Sequence, residues 1–299
     1  MVVVELRQYF RLSILLKVSR IPKATFFYTI KKANKDGKNE EIIRQINDIY
    51  QQNKGRYGYR RILLELANRG YQVNHKKIKR IMNLLGIHGI TPRGKYKSYK
   101  GDQNGTCANL LLKKVIDEEH HTTTYERVFL TTGCNQIWTT DVSEFHIPAG
   151  KVYLSPILDM HNREIVAFSL SRNPNFNQTR DMLKAAFTKY KQLDGLIFHS
   201  DQGWQYQMTY YHQELESRGI QQSMSRKGNC LDNSPMENFF AVIKNEMFYG
   251  HEHDFKSLKE LEDAIVEYIE YYNKDRIMVK TKGLSPILYR QQSLNQLGC

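Results

Sequence analysis

The first third of the chain carries apolar residues at the spacing of amphipathic α-helices. This spacing predicts helices over residues 5–18, 23–32 and 39–52. In the last of these, Ile42, Ile46 and Ile49 share one face. The pattern therefore predicts a domain built from packed helices at this end of the chain.

A glycine-containing turn and a basic helix follow. Gly55-Arg56-Tyr57-Gly58 leads into a helix over residues 59–66, which Gly70 ends, and Asn74 caps a helix over residues 75–85. Helix, glycine turn and capped basic helix are typical of a helix-turn-helix. We predict a helical, helix-turn-helix-like DNA-binding domain over residues 1–87.

Positive charge is concentrated on these two helices. Cations in the first turn of a helix oppose its dipole at a cost of a few tenths of a kcal/mol each, so another property must favour them. Contact with DNA phosphates is one explanation. The alternative is that these cations form a solvated charged face, because the apolar residues Ile78 and Ile81 would by themselves account for the helix over residues 75–85. The candidate DNA-contacting residues are Arg60, Arg61, Lys76, Lys77, Lys79 and Arg80.

The second half changes to short segments rich in Thr, Val, Ile and aromatic residues, which are typical of strands. The predicted order β-β-β-α-β-α-β-α implies a mixed sheet with helices on its faces, as in RNase H-like domains. An α/β domain of this class is predicted over residues 136–290. Its strands are expected over residues 137–147, 151–159, 164–170, 195–198 and 220–224, and its helices over residues 178–190, 210–218 and from Pro235.

The net charge of +13 is unevenly placed along the 299 residues. Residues 1–135 hold 26 Lys and Arg against 11 Asp and Glu, whereas residues 136–299 hold 18 against 20. This asymmetry favours a protein that binds a polyanion and has a carboxylate active site, over one with a merely solvated basic surface. Residues 88–135 open with proline, glycines and a basic run at 93–100. They are predicted to form a basic linker, with a short helix over residues 110–119.

Cysteine usage and hydropathy argue against other classes. The four cysteines have no CxxC pairing, so neither a disulfide framework nor a structural zinc site is expected. Charged residues interrupt the first twenty positions, and no apolar run reaches the length of a membrane span. By cysteine usage and hydropathy we expect a soluble, intracellular protein with no membrane partner.

Three carboxylates stand at the positions where such a fold builds a site. Asp141 lies within the first predicted strand, where a charge among β-branched residues needs a reason. Asp201 ends the fourth strand, and ligands usually bind at strand ends. Glu237 lies in the first turn of the long helix, with 35 residues between it and Asp201.

Each carboxylate has a structural explanation when taken alone. A strand-end turn would explain Asp141, and a tight turn would explain Asp201. A capping box with Ser234 as N-cap would explain Glu237. The coincidence of all three is what favours a joint catalytic role.

Carboxylates suit phosphodiester chemistry, because displacement at phosphorus builds negative charge and expels a poor alkoxide leaving group. Two divalent ions about 4 Å apart activate the attacking oxygen and stabilise the leaving oxygen. Mg²⁺ takes hard oxygen ligands and keeps several waters, so a few carboxylates suffice. The sequence contains no Walker A loop that would indicate nucleotide-driven chemistry.

Other polar residues near the carboxylates could contact substrate. Lys244 follows Glu237 by seven residues on the same helix face, where it could hold a DNA phosphate. Arg226 and Lys227 lie in a basic, glycine-containing loop that fits either substrate contact or a plain surface. His199 could assist proton transfer, but a structural histidine is the favoured interpretation.

Three stretches carry a family resemblance: Trp138-Thr139-Thr140-Asp141, His199-Ser200-Asp201-Gln202-Gly203 and Asp232-Asn233-Ser234-Pro235-Met236-Glu237. They closely resemble the downstream-frame (OrfB) transposases of the insertion-sequence-three family. Gly55-Arg56-Tyr57-Gly58-Tyr59-Arg60-Arg61 resembles the DNA-binding module that precedes the catalytic domain in that family. The resemblance covers roughly residues 40–290.

The resemblance implies a retroviral-integrase-type catalytic domain in which Asp141, Asp201 and Glu237 bind two Mg²⁺ or Mn²⁺ ions. The implied activity is nicking of double-stranded DNA at transposon ends and transfer of the exposed 3′-hydroxyl to a target strand. A homo-oligomer on DNA and an upstream-frame (OrfA) fusion or partner are also implied. The His-His-Cys-Cys spacing of integrase zinc domains does not occur here.

Two other functions remain open from the sequence. A DNA-binding regulator made from the downstream frame would bind DNA without cleaving it. A stand-alone RNase H-like nuclease would hydrolyse strands without joining them.

Overall fold

The computed structural model describes residues 2–27, 39–90, 106–117, 122–226 and 229–297. The chain forms two compact units, Met1–Gly89 and Ile90–Cys299. Three sequence predictions fall outside the described residues: the basic run at 93–100, the DNA contact Lys227, and residues 28–32 of a predicted helix.

The first unit is helical. The predicted helix over residues 5–18 is wrong in extent, because Arg11 takes extended backbone angles and divides the segment into two helices. The other predicted helices are confirmed to within two residues at each bound where the structure describes them. The labelled helices are α1 (Val2–Leu6), α2 (Leu12–Ser19), α3 (Glu40–Gln52), α4 (Tyr59–Asn68) and α5 (His75–Leu85).

Helices α3, α4 and α5 pack around a small apolar core. The Asn74 side chain accepts the Lys76 N–H at 2.9 Å and so caps the start of α5. Gly86, at φ 67°, ends that helix in the left-handed conformation that glycine adopts without strain. The helix-turn-helix outline is therefore confirmed. The core side chains, all fully buried, are Ile46, Ile49, Ile62, Leu66 and Ile78.

The second unit is built on a six-stranded mixed sheet. One edge of the longest strand, β5, pairs with β6, and its other edge pairs with β4 and β3. Strand β3 continues the sheet through parallel pairing with β7, and β7 pairs in parallel with β8. The strands are β3 (Ile137–Thr140), β4 (Ser143–Ile147), β5 (Gly150–Asp159), β6 (Ile165–Ser171), β7 (Ile197–Ser200) and β8 (Gln221–Met224).

The predicted strand over residues 137–147 is interrupted at Asp141 and Val142. The register against β5 is the same on both sides, with Thr140 opposite Ile157 and Ser143 opposite Leu154. Continuing that register sets Pro156 opposite Asp141. Proline has no N–H to donate to a ladder, so pairing fails there. Asp141 thus follows a strand rather than lying inside one, which corrects the sequence prediction.

Helices cover both faces of this sheet. One face packs against α6 (Phe176–Lys189) and α7 (Thr209–Glu216), through a core that includes Trp138 and Met182. The other face packs against α8 (Ser234–Ile243) and α9 (Leu258–Lys274). The chain ends its described part with α10 (Pro286–Leu297). The α/β, RNase H-like architecture is confirmed.

A β-hairpin replaces the helix predicted over residues 110–119. Strands β1 (Leu112–Asp117) and β2 (Thr122–Arg127) pair in antiparallel register. The helix prediction was wrong because the partner segment, rich in β-branched Thr, supplies pairing that a single segment does not reveal. Leu111 is buried in the core of the second unit. The latter part of the predicted linker therefore packs with this unit.

Candidate active site

Asp141 and Asp201 lie at the carboxyl ends of two adjacent parallel strands. The register pairs Thr139 of β3 with His199 of β7. Each aspartate comes two residues later, and both side chains are partly exposed. Parallel strands carry both carboxylates to the same edge of the sheet, which is where open α/β sheets usually bind ligands.

Asp141 lies in an environment that disfavours its charged form. Burial raises its pKa well above the ordinary value of 3.8, and the charges of Asp201 and Glu237 raise it further. The Val142 N–H, which donates to Asp141 Oδ1 at 2.7 Å, and the Lys244 charge act in the opposite direction. Since the carboxyl groups of Asp201 and Glu237 both act on Asp141, the three predicted residues share one electrostatic environment.

Asp201 is held by the turn that follows it. Its Oδ1 accepts the Gly203 N–H at 2.9 Å, which lowers its pKa, but burial is the larger influence and raises it. A Cβ at position 203 would lie 2.9 Å from that same carboxylate oxygen and 2.6 Å from Gln205 Nε2. A side chain at position 203 would therefore push against the Asp201 carboxylate.

Glu237 is half-buried in the first turn of α8. The alternative explanation, a capping box with Ser234 as N-cap, does not hold, because the helix begins at Ser234 and its N-cap is Asn233, without a side-chain capping bond. The Asn233 amide is used elsewhere. Its Nδ2 donates to the Thr140 carbonyl at 3.1 Å, and its Oδ1 accepts the Thr139 hydroxyl. Asn233 therefore ties the helix that carries Glu237 to the strand that precedes Asp141.

Lys244 lies where the helical geometry changes. Helix α8 ends at Ile243, and Lys244–Phe248 form a π-helical turn in which the Tyr249 N–H donates to the Lys244 carbonyl at 2.7 Å. Such turns are frequent at functional sites. Burial lowers the pKa of Lys244, while the charges of Glu144 and Asp141 oppose that shift. Its ammonium lies 5.1 Å from the ring centre of Phe145.

His199 has a structural environment, in agreement with the favoured interpretation. It is fully buried, and its two ring nitrogens lie 2.9 Å from the hydroxyls of Ser223 and Ser225. Burial lowers its pKa to about 4, against an opposing influence from Asp232. The imidazole is therefore neutral at physiological pH and links β7 to the end of β8.

Sequence reasoning missed the role of Asp232. This fully buried carboxylate accepts bonds from Arg127 Nε at 2.8 Å and from Arg226 Nε at 3.0 Å. Burial acts to raise its pKa, but the hydrogen bonds from Arg226 and Arg127 outweigh it and lower the pKa. These two ion pairs attach the hairpin, through Arg127, and the loop after β8, through Arg226, to the segment just before α8. The only sequence signal was that Asp232 belongs to a recognisable motif.

The predicted DNA-contacting residues of the first unit divide into two groups. Arg60, Lys76, Lys79 and Arg80 are exposed, whereas Arg61 and Lys77 are partly buried. The Arg61 guanidinium lies 5.2 Å from the Tyr57 ring centre and donates to the Arg56 carbonyl at 3.4 Å. In the second unit, Arg226 is paired with Asp232 as described above. The exposed group offers the more accessible charges.

The carboxylates fit a hydrated divalent cation. Among the residues that the structure describes, no three His, Cys, Asp or Glu side chains are gathered closely enough to hold an ion by themselves. Mg²⁺ keeps several waters, however, and needs only one or two direct carboxylate ligands. A divalent cation would also relieve the repulsion that raises the pKa of Asp141. Hard oxygen donors of this kind suit Mg²⁺ or Mn²⁺.

Comparison with known families agrees with this architecture. Residues 132–230 and 237–294 match two families that are both described as Integrase core domain, and residues 38–96 match the HTH-like domain family. The fold and these matches define the class as a transposase or integrase with a catalytic domain of polynucleotidyl-transferase type. None of the helices in the described part of the chain is both long and apolar enough to cross a membrane.

Individual relatives narrow the class. The chain is 44% identical to the putative transposase InsK for insertion sequence element IS150 of Escherichia coli, covering 97% of this chain and 96% of that protein. It is 49% identical to a transposase-like protein of Haemophilus influenzae, over 75% of this chain and 96% of that one. The transposase InsF for IS3A of E. coli is 26% identical over 95% of this chain and 96% of that protein. The chain belongs to the insertion-sequence-three family of transposases.

A solved structure is also similar. The catalytic core domain of HTLV-2 integrase, in complex with magnesium, aligns with a TM-score of 0.42 at 19% identity, covering 53% of this chain and 97% of that one.

Proposed function

We propose that this transposase cleaves DNA at the ends of an insertion sequence and joins the freed 3′-hydroxyl to a target strand. In this proposal Asp141, Asp201 and Glu237 hold two Mg²⁺ or Mn²⁺ ions. One observation carries the proposal: the charges of Asp201 and Glu237 both raise the pKa of Asp141, at the carboxyl ends of two parallel strands. Like charges held close together at the edge of a sheet destabilise the folded protein unless a bound cation or substrate neutralises them.

The chemistry requires carboxylates rather than a protein nucleophile. Divalent ions at such a site supply Lewis acidity to the attacking and leaving oxygens. The chain's own residues keep the three carboxylates in place. The Gly203 N–H fixes Asp201, and the Asn233 amide fixes the start of α8 against β3. We propose that Lys244 holds a DNA phosphate beside these carboxylates.

The rest of the proposal concerns DNA and partners. We propose a helical DNA-binding region over residues 1–87, a basic segment over residues 88–135 and a catalytic region over residues 136–290. Homo-oligomerisation on double-stranded DNA, an upstream-frame fusion or partner, and action on cytoplasmic nucleoid DNA belong to the same proposal. The DNA contacts proposed are Arg60, Arg61, Lys76, Lys77, Lys79, Arg80, Arg226, Lys227 and Lys244.

The test compares charge-removing variants of near-identical shape. Asp141→Asn, Asp201→Asn and Glu237→Gln should each abolish joined products with Mg²⁺ or Mn²⁺ while thermal unfolding remains cooperative. Glu270→Gln is the matched control, because this exposed carboxylate pairs with Lys274 on α9. It should retain joining.

The products decide among the alternatives. Joined strands in any one of the three variants would contradict the role of that residue. Nicks without joined strands in the unaltered chain would favour a nuclease. Salt-sensitive DNA binding without cleavage, whatever the metal, would favour a regulator.

A further inference from the structure

Trp204 is a large aromatic side chain left on the surface. It is 53% exposed, whereas the other tryptophan, Trp138, is fully buried. A single exposed apolar side chain needs no explanation by itself. The position of Trp204 is what distinguishes it, since it begins the 3-10 turn Trp204–Gln207 directly after the Asp201–Gly203 segment.

Hydrogen bonds hold the turn that carries Trp204 against the rest of the second unit. Tyr206 is fully buried, and its N–H donates to the Gly203 carbonyl at 3.0 Å. Gln207 Nε2 donates to the Gln202 carbonyl at 2.6 Å, and Gln222 Nε2 donates to the Tyr206 carbonyl at 2.8 Å. The exposed indole therefore stands on a backbone that is held to the sheet.

The turn lies beside the carboxylates. Burial raises the pKa of Tyr206, and the charges of Asp141 and Asp201 raise it further. Three residues of extended chain span at most about 11 Å, so the Trp204 backbone lies within that distance of Asp201. Successive phosphates of one B-DNA strand are about 3.4 Å apart along the axis. That upper limit corresponds to about three nucleotide steps along one strand.

The helix that follows the turn borders a groove with a net positive lining. Helix α7 follows directly, and its Tyr210 lines a groove between α6 and α7 with a volume of about 450 Å³. The acidic side chains in the lining are Asp181 and Glu214, and Glu214 is paired with Arg218. The lining is net positive and suits a phosphate backbone. Its basic residues are Arg180, Lys184, Lys191 and Arg218.

We propose that Trp204 is a stacking platform for a base of the DNA strand whose phosphate is engaged at Asp141, Asp201 and Glu237. The proposal rests on the proposed function, which brings DNA to this edge of the sheet. Stacking between a base and an aromatic ring is tolerant of sequence and contributes about 1–3 kcal/mol per base. An indole that projects from a rigid turn, next to the reacting phosphate, fits an unpaired or frayed base at a DNA end.

The test measures base stacking without catalysis. The probe is a hairpin duplex with an unpaired 3′ tail that carries 2-aminopurine at successive positions and ends in a 3′-dideoxynucleotide, titrated with the full chain in the presence of Ca²⁺, a divalent ion with oxygen ligands that can bridge the carboxylates and a phosphate. Stacking on Trp204 should quench the fluorescence of the analogue. Trp204→Phe should preserve quenching because it keeps an aromatic face. Trp204→Leu should lose quenching and bind the tailed probe about 5- to 150-fold more weakly.

The controls separate stacking from general effects. Tyr249→Leu removes another exposed aromatic residue of the same unit, 44% exposed, and should leave quenching and affinity unchanged. The thermal unfolding of Trp204→Leu should match that of the unaltered chain. Equal quenching and affinity in Trp204→Leu and the unaltered chain would overturn the proposal.

The two proposals can fail separately. If Trp204→Leu behaves like the unaltered chain while Asp141→Asn abolishes joining, only the stacking role is wrong. If quenching depends on Trp204 while Asp141→Asn still joins strands, only the proposed catalytic role is wrong.

Discussion

Asp141 and Asp201 follow, each by two residues, a pair of residues that face one another on adjacent parallel strands. Neighbouring strands are about 4.8 Å apart, so the sheet itself sets the distance between the two backbone positions. The protein holds two acidic groups together in a partly buried place. This arrangement opposes folding at neutral pH, and that cost can be measured.

Asp141→Asn should stabilise the metal-free protein at neutral pH. The pKa of Asp141 is raised on folding, so its contribution to stability is full below its ordinary value of 3.8 and is lost as pH rises through the folded value. We expect the variant to gain about 1 kcal/mol at pH 7 in chelator, the order seen when strain at a functional site is removed. The gain should vanish below about pH 3.8.

With Mg²⁺ the unaltered protein should become more stable than Asp141→Asn, because the ion binds the unaltered site and stabilises the folded state by mass action. Denaturant unfolding with and without Mg²⁺ measures both effects, with Glu270→Gln as control. A destabilised Asp141→Asn chain in chelator would contradict the prediction.

His199 should make the protein sensitive to mild acid. Its folded pKa of about 4 lies below the ordinary 6.5, chiefly because of burial. The stability it contributes is complete above pH 6.5 and is lost as pH falls toward 4, by roughly 3 kcal/mol for this shift. Urea unfolding at several pH values should give a flatter dependence in His199→Gln. An unchanged dependence would assign the acid sensitivity to other groups.

Asn233→Ala should separate α8 from β3. Loss of the amide leaves the buried Thr139 hydroxyl and Thr140 carbonyl without this partner, at a cost of about 1–3 kcal/mol each. We expect a lower free energy of unfolding, together with a weaker increase in melting temperature on addition of Mn²⁺. Asn238→Ala, at an exposed position of the same helix, is the control. A normal Mn²⁺ response in Asn233→Ala would show that Asn233 does not position Glu237.

The exposed cations of α5 should determine the salt dependence of DNA binding. Replacing Lys76, Lys79 or Arg80 by Gln should lower the slope of log K against log salt concentration by about 1 each, if each contacts a phosphate. Lys259→Gln removes an exposed cation that pairs with Asp263 on α9 and should leave the slope unchanged. Equal slopes in all variants would favour a solvated charged face on α5.

Local signals explain why some predictions were accurate. The bounds of α5 were predicted to the residue, because Asn74 and Gly86 act within one turn of the helix ends. Asp201 was identified because it follows a short apolar segment typical of a buried strand. The strand before Asp201 lies two residues later than predicted, at Ile197–Ser200 rather than 195–198, because Gly195 adopts φ 78° and belongs to the turn before Ile197.

Long-range pairing explains what was missed. The Arg127–Asp232 ion pair spans 105 residues, and the bond between Thr139 and Asn233 spans 94. No periodicity within one segment reveals such partners. The hairpin was missed for the same reason, because residues 112–117 become a strand only by pairing with residues 122–127. The break at Asp141 depended on Pro156 in another strand.

Positions 203 and 204 have opposite tolerance to mutation. A Cβ at position 203 would lie 2.9 Å from Asp201 Oδ1, so a side chain there would displace the carboxylate or the neighbouring Gln205 side chain. The next side chain, Trp204, is 53% exposed, so we expect its replacement to change the stability of the fold little. If Trp204 stacks on a base as proposed, one substitution at this position would alter DNA binding while the adjacent carboxylates stay in place.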